Sequence, residues 1–204
     1  MTSNIRCALE FDGDLGAAHV DRGVAYLRKG LNDQAIADFS GAIALTSWNT
    51  GPYLPAAYVD RGIAYRRQGA DDKAIADETT AISLRPTAAN AYIERGSDDE
   101  QMGRLDLMIA DNTQALRIRP NYVVALNDRA WAYHLIGEDA RGLADAERAA
   151  ALAPHNSNIL ETRAEIYEKL GRWAEARAGY RAVLKVNPED SYARSGLASL
   201  GGAP

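Results

Sequence analysis

The stretch DRGVAYLRKG at residues 21–30 contains the dipeptide Arg22-Gly23, and that dipeptide returns as Arg61-Gly62, Arg95-Gly96, Arg129-Ala130 and Arg163-Ala164. Successive arginines are 39, 34, 34 and 34 residues apart. A fixed period of 34 is what stacked helix hairpins leave in a sequence, because each hairpin must bury its apolar face on the next one. Arrays of this kind present surfaces, so the same period bears on function as well as fold.

With the arginine at position 7 of a 34-residue unit, the units begin at Gly16, Pro55, Ala89, Val123 and Ser157. Position 11 then reads Tyr26, Tyr65, Asp99, Tyr133, Tyr167, and position 15 is glycine in all units: Gly30, Gly69, Gly103, Gly137, Gly171. Position 20 reads Ala35, Ala74, Met108, Gly142, Ala176, and position 27 reads Ala42, Ala81, Ala115, Ala149, Val183. Pro86, Pro120, Pro154 and Pro188 occupy position 32. Small residues let two helices approach closely, and the tyrosine fills the space beside them. Glycine suits a left-handed cap after the first helix, A, and proline stops the second, B. The spacing therefore predicts helix A over positions 1–14 and helix B over 18–31.

In this register the chain resembles the tetratricopeptide repeat, which places small residues at 8, 20 and 27, an aromatic at 11 and proline at 32. The resemblance covers residues 16–188. It departs from the family at position 7, usually large and apolar and here always arginine, as in an Arg-Gly-bearing subset. It implies an all-α, right-handed superhelical solenoid of antiparallel hairpins, with about five and a half repeats in a single array over residues 1–204. The repeats span 16–54, with a five-residue insertion, then 55–88, 89–122, 123–156 and 157–190. Residues 1–15 are expected to form an N-terminal half-repeat ending a helix B. Residues 191–204 are expected to form a capping helix and tail, with Asp190-Ser191 at its N-cap. The insertion carries Trp48 and Tyr53, which either fold back on the array or form a contact surface. The third unit, with Asp99 and Met108 at its signature positions, is expected to be a repacked, softer joint.

The chain of 204 residues is 47% hydrophobic and 25% charged, with a net charge of -5. That balance argues against general nucleic-acid binding, which needs a surplus of lysine and arginine, and gives no reason to expect a membrane partner. No run of about 18 apolar residues is present, and Glu10, Asp12 and Asp14 interrupt the start as a signal peptide would not. A cytoplasmic location is the default. The single cysteine, Cys7, is expected to be a buried structural residue. His19, His134 and His155 occupy different repeat positions, so no metal site or cofactor is expected. Nothing assembles a nucleophile, an acid and a stabiliser, so no enzyme is expected.

Position 23 reads Asp38, Asp77, Asp111, Asp145 and Gly179, opposite the five arginines. Arginine and aspartate form bidentate, charge-assisted pairs. Pairing within a unit would join Arg22 to Asp38. Pairing between units would join Asp38 to Arg61, Asp77 to Arg95, Asp111 to Arg129 and Asp145 to Arg163. The second scheme, which leaves only the terminal Arg22 without an aspartate, is the expectation.

The resemblance also implies a concave face lined by helix A positions 2, 5, 9, 12 and 13. Its candidates are Val20, Val24, Leu27 and Arg28, then Val59, Ile63, Arg66 and Arg67, and Ile93. Asn127, Trp131 and His134 follow, then Glu161, Glu165 and Glu168. This surface is apolar with an arginine rim in its first half, has Trp131 at its centre and is acidic in its last half. The arginines would suit a ligand carboxylate and the glutamates a basic stretch. The lysine and asparagine clamp of chaperone-tail-binding relatives is replaced by Val20, Val24, Val59 and Ile63, so chaperone tails are not expected. The function expected is a non-catalytic scaffold binding a peptide or protein segment. The alternative is self-assembly into a homo-oligomer through the array ends or the loop at residues 46–54.

Overall fold

The computed structural model describes the backbone of residues 2–45 and 52–201, and the side chains of residues 15–45 and 52–201. Trp48 and the side chain of Cys7 lie outside the described residues. The described residues form eleven α-helices in two compact units, Met1–Met102 and Gly103–Pro204. The first unit holds α1 (Thr2–Arg28), α2 (Asn32–Leu45), α3 (Leu54–Arg66), α4 (Asp71–Leu84) and α5 (Ala89–Gln101). The second holds α6 (Leu105–Ile118), α7 (Val123–Leu135), α8 (Asp139–Leu152), α9 (Ser157–Lys169), α10 (Trp173–Val186) and α11 (Ser191–Ser199). Within each unit every helix packs on the next in sequence, and the A helices also touch, α3 on α5 and α7 on α9. This is an all-α helical repeat.

The turn chemistry follows from residue type. Gly30, Gly69, Gly103, Gly137 and Gly171 all take positive φ, between 71° and 77°. A β-carbon at Gly30, Gly69, Gly103 or Gly137 would meet nothing within 4 Å, so backbone conformation and not crowding selects glycine there. The turn closes by the N–H after each cap donating back to the position-11 carbonyl: Leu31 to Tyr26 at 3.0 Å, Glu138 to Tyr133 at 2.7 Å and Arg172 to Tyr167 at 2.8 Å. That is the six-to-one bond of a Schellman cap. At the far end of the B helices, Arg85, Arg119, Ala153 and Asn187 leave the helical region, with φ from -129° to -141°. Each precedes a proline, whose ring disfavours the α conformation of the residue before it.

The N-terminus differs from expectation. α1 runs unbroken from Thr2 to Arg28, so no turn separates a half-repeat at residues 1–15 from the first helix A. The position where the B helices meet proline holds Gly13 here, which weakens a helix by about 1 kcal/mol but does not stop it. Tyr53 packs on α1: a β-carbon on Gly16 would collide with its hydroxyl oxygen. Asp190 caps α11 by accepting from the Ala193 N–H at 3.0 Å.

The arginine ladder pairs within repeats, not between them. Arg22 binds Asp38 at 2.7 and 2.6 Å, Arg61 binds Asp77 at 2.7 and 2.8 Å, and Arg129 binds Asp145 at 2.6 and 3.0 Å. Each fork joins helix A to helix B of its own hairpin. The connection between repeats comes from the remaining guanidinium nitrogen, which donates to a hydroxyl at position 25 of the repeat before. Arg61 reaches Ser40 at 3.0 Å, Arg95 reaches Thr79 at 3.1 Å and Arg129 reaches Thr113 at 3.1 Å. The last rung loses both partners, because Gly179 stands at position 23 and Glu147 at position 25. The Nε of Arg163 is buried without a hydrogen-bond partner.

The core is small and apolar at most crossings, with Ala130, Ala146 and Ile166 as one cluster. Position 24 of helix B faces position 8 of helix A. Phe39 sits so close over Gly23 that a β-carbon there would be 2.7 Å from its ring. At the same place in the second repeat Glu78 lies over Gly62, fully buried. Its neighbour is Asp98 of α5, also fully buried, at position 10 where the other repeats carry Ala25, Ala64, Ala132 and Ile166. Two carboxyl groups facing one another bond only when one holds a proton. Burial, then Asp98, pushes the Glu78 carboxyl up to about 11, and burial raises Asp98 as well.

Two predictions follow from this packing. Arg129→Met strands the Asp145 carboxylate and should cost about 2–3 kcal/mol in denaturant unfolding, whereas Arg163→Met should stay within about 0.5 kcal/mol of wild type. Equal costs would contradict the rung assignment. For Glu78, the folded value lies above the unfolded value of 4.5. Its proton therefore favours the folded state fully below about pH 4.5, and that contribution drains away as pH rises toward 11. Relative to Glu78→Gln, the wild type should lose stability between pH 6 and 8 by up to about 1.4 kcal/mol per pH unit. A difference between the two that is flat with pH would show that the pair does not hold a proton.

Candidate functional site

The A-helix face of the first unit is built from α1, α3 and α5, and packing consumes most of its expected apolar surface. Leu27, Val59 and Ile93 are buried. Val20, Val24 and Ile63 pack against the cluster of Leu27, Ala35, Phe39 and Ala64, and Ile63 also joins the cluster around Val59, Ala81 and Ala91. Two of the arginines expected on the rim are engaged internally. Arg66 donates to Glu94 Oε2 at 2.6 Å, to the Glu94 carbonyl at 3.2 Å and to Asp98 at 3.3 Å. Arg67 donates to the Leu27 carbonyl at 2.6 Å, where it satisfies an acceptor at the end of α1. Arg28 is exposed. Asp60, on the same helix as Arg66, is pushed up to about 6 by burial and by the Glu94 charge. The polar groups of this face thus largely answer one another.

The face of the second unit, on α7, α9 and α11, is different in kind. Asn127, Trp131 and His134 fall one helical turn apart on α7, and Glu161, Glu165 and Glu168 do the same on α9. Trp131 stacks on His134 with ring centroids 5.3 Å apart and planes 29° from parallel. The imidazole lies between two carboxylates, with Nδ1 2.6 Å from Asp139 of α8 and Nε2 3.4 Å from Glu165. Its bond to Glu165, then that to Asp139, raises the histidine above its ordinary value, against the opposing effect of burial. Glu168 accepts the Tyr180 hydroxyl of α10 at 2.6 Å. Tyr180 meets Tyr192 of α11 edge-on at 6.4 Å. Glu161 is raised by burial and by the charges of Asp190 and Glu165. The side-chain oxygen of Asn127 is buried without a donor.

The structure therefore brings Trp131, His134, Glu161, Glu165 and Glu168 onto one face and adds Asp139, Tyr180, Tyr192 and Asp190, which the sequence reading did not single out. Tyr192 was findable: carrying the 34-residue register one unit further puts it at position 2 of a helix A, a concave-face position. Asp139 carries no periodic signal, because it reaches His134 from across the hairpin turn. Among the described residues, no group of three or more His, Cys, Asp or Glu is arranged to hold a metal ion, and no helix is long and apolar enough to cross a membrane.

Comparison with known proteins agrees with this architecture. Two family models, both described as tetratricopeptide repeat, match residues 20–91 and residues 138–200. A search of curated proteins gave no match. Among solved structures, a tetratricopeptide repeat protein from Parabacteroides merdae ATCC 43184 superposes with a TM-score of 0.76 at 19% identity, covering 92% of this chain and 72% of that one. MamA from Desulfovibrio magneticus RS-1 gives 0.73 at 17% identity, covering 87% of this chain and 98% of that one. YrrB, described as a TPR protein with an unusual peptide-binding site, gives 0.68 at 13% identity, covering 87% and 89%. Likeness at these identities carries the fold alone. With the 34-residue period, the glycine-capped hairpins and both family matches, this chain belongs to the tetratricopeptide repeat family.

Proposed function

We propose that this chain is a non-catalytic interaction scaffold that holds a peptide or protein segment, extended or helical, on the A-helix faces of its repeats. The family's general role as an interaction scaffold supports the coarse reading. The observation that carries the finer one is the α7–α9 face. There the half-buried Trp131 stacks on His134, which also meets Glu165, while Ala130, Ala146 and Ile166 of α7, α8 and α9 supply the core cluster. A large aromatic at such a position is the residue type that dominates binding energy when a partner covers it. The peptide-binding site named for YrrB offers a parallel on the same fold. In the first unit Leu27, Val59 and Ile93 belong to the core, so that face contributes less than the sequence suggests.

A second reading, self-assembly, has its own support. Leu135, Ile136, Leu170 and Trp173 are exposed around the hairpin turns of the second unit, and Trp173 is 51% exposed. Large exposed apolar residues grouped in this way favour contact with another chain. Affinity capture with wild type beside Trp131→Ala separates the two readings when run with a light-scattering mass series. Loss of a captured protein with Trp131→Ala, by at least about tenfold, is the expected result. Unchanged capture would refute the A-helix face as the contact, and a mass that climbs with concentration in both proteins would support self-assembly instead.

A further inference from the structure

We propose that the α7–α9–α11 face of the second unit takes a cationic protein segment, one Lys or Arg side chain lying beside Trp131 and pairing with Glu161 and Glu165. This inference rests on the reading of the chain as a peptide-binding scaffold and names the chemistry of the peptide.

The argument begins with charge. His134 stacks on Trp131 and faces two carboxylates, Asp139 from α8 and Glu165 from α9, while Glu161 and Glu168 lie one turn to either side of Glu165 on α9. The N-cap of α11 adds Asp190, whose charge is felt by Glu161. The phenols of Tyr180 and Tyr192, on α10 and α11, carry no charge at neutral pH. Arg129 holds Asp145, Arg177 donates to the Leu200 carbonyl at 3.3 Å, and Arg194 binds Glu189 and the Pro188 carbonyl. The carboxylates of this face thus outnumber its cations, His134 and the exposed Lys169 one turn beyond Glu165.

Glu161 is the informative member. It makes no hydrogen bond or ion pair among the described residues, although it is half-buried and close to two like charges. A carboxylate so placed gains from a cation more than an exposed one does, because little solvent screens the pair. Trp131 supplies an aromatic surface stacked on His134, and indole is the best side chain for receiving a cation. Carboxylate and indole together match a guanidinium or ammonium on an apolar stem, and would repel an acidic segment.

The same geometry sets the direction of a pH effect. Below its raised value His134 is a cation that shares Glu165 with any ligand. As pH rises through that value it becomes neutral and releases Glu165. The change makes the face more negative, so a cationic segment binds more tightly as pH rises through the titration of His134.

The test uses the full chain and labelled peptides sharing one apolar centre, flanked by arginine in one set and by glutamate in the other, with affinity read by fluorescence anisotropy. Arginine-flanked peptides should bind wild type, bind Glu161→Gln/Glu165→Gln at least about tenfold more weakly, and tighten with pH in wild type but less in His134→Gln. The charge-matched control Asp72→Asn/Asp106→Asn, at two exposed positions, should leave binding unchanged; matching thermal unfolding confirms that all variants fold. Equal binding by the double glutamine variant, equal binding of glutamate-flanked peptides, or failure of every arginine-flanked peptide to bind would overturn the proposal. Weakening by Trp131→Ala with no effect of the glutamine pair would overturn it while sparing the scaffold reading, and insensitivity to Trp131→Ala would remove that reading too.

Discussion

A guanidinium inside a helix-packing interface is costly unless its charge and its donors are answered, and Arg61 and Arg129 show how this chain answers them. The solution is to divide the donors. One edge of the fork grips an aspartate on the second helix of the same hairpin, and the remaining nitrogen reaches a serine or threonine on the hairpin before. The pair with aspartate holds a hairpin together, and the bond to the hydroxyl sets how one hairpin sits on the next. A buried ion pair adds little net stability over an apolar alternative, but it penalises every misaligned arrangement that would leave the charge alone. In a fold made of near-identical units, where slippage by one unit is the obvious error, that penalty specifies register. Arg22 fits the same logic: the first rung makes no such hydroxyl bond among the described residues, and it is 59% exposed where Arg61 is 17% exposed.

The polar substitutions that depart from the repeat concentrate in its middle. In the first unit, Glu78, Asp98 and Asp99 are buried at positions that mostly hold alanine or aromatic side chains in the other repeats. In the second, Asn112 takes position 24 and donates to the Met108 carbonyl at 2.9 Å. Glu78 and Asp98 trade core stability for sensitivity to protonation. Further along, the second unit puts its polar groups on the A-helix face, where Glu161, Glu165 and His134 meet the indole of Trp131. One unit hides its charges in mutual contacts and the other presents them.

Most of the fold was legible in the sequence because its determinants are local. A glycine that must adopt positive φ and a proline that must follow a helix announce themselves by residue type and spacing alone. The unbroken α1 was not legible, because the expected half-repeat was inferred by counting backwards past a point where no proline enforces a stop. The rung pairing was misassigned for a different reason. Counting aspartates favoured pairing between repeats, but the hydroxyls Ser40, Thr79 and Thr113 at position 25 were a second partner set that the count ignored. On the candidate face, register placed Trp131, His134 and the glutamates correctly on A helices. It could not show that Arg66 is held by Glu94 and Asp98, since those bonds depend on three-dimensional reach between neighbouring repeats.

The most direct test of the divided-donor constraint is a double-mutant cycle on Thr113 and Arg129, read by equilibrium unfolding. Thr113→Val removes the acceptor on one hairpin and Arg129→Met the donor on the next, two residues joined across 3.1 Å. The predicted result is a coupling energy of about 0.5–1 kcal/mol, the size expected for neighbours sharing a hydrogen bond to a charged group. Strict additivity, within about 0.3 kcal/mol, would contradict the account and leave the ladder as a set of pairs that hold hairpins together without setting how they stack.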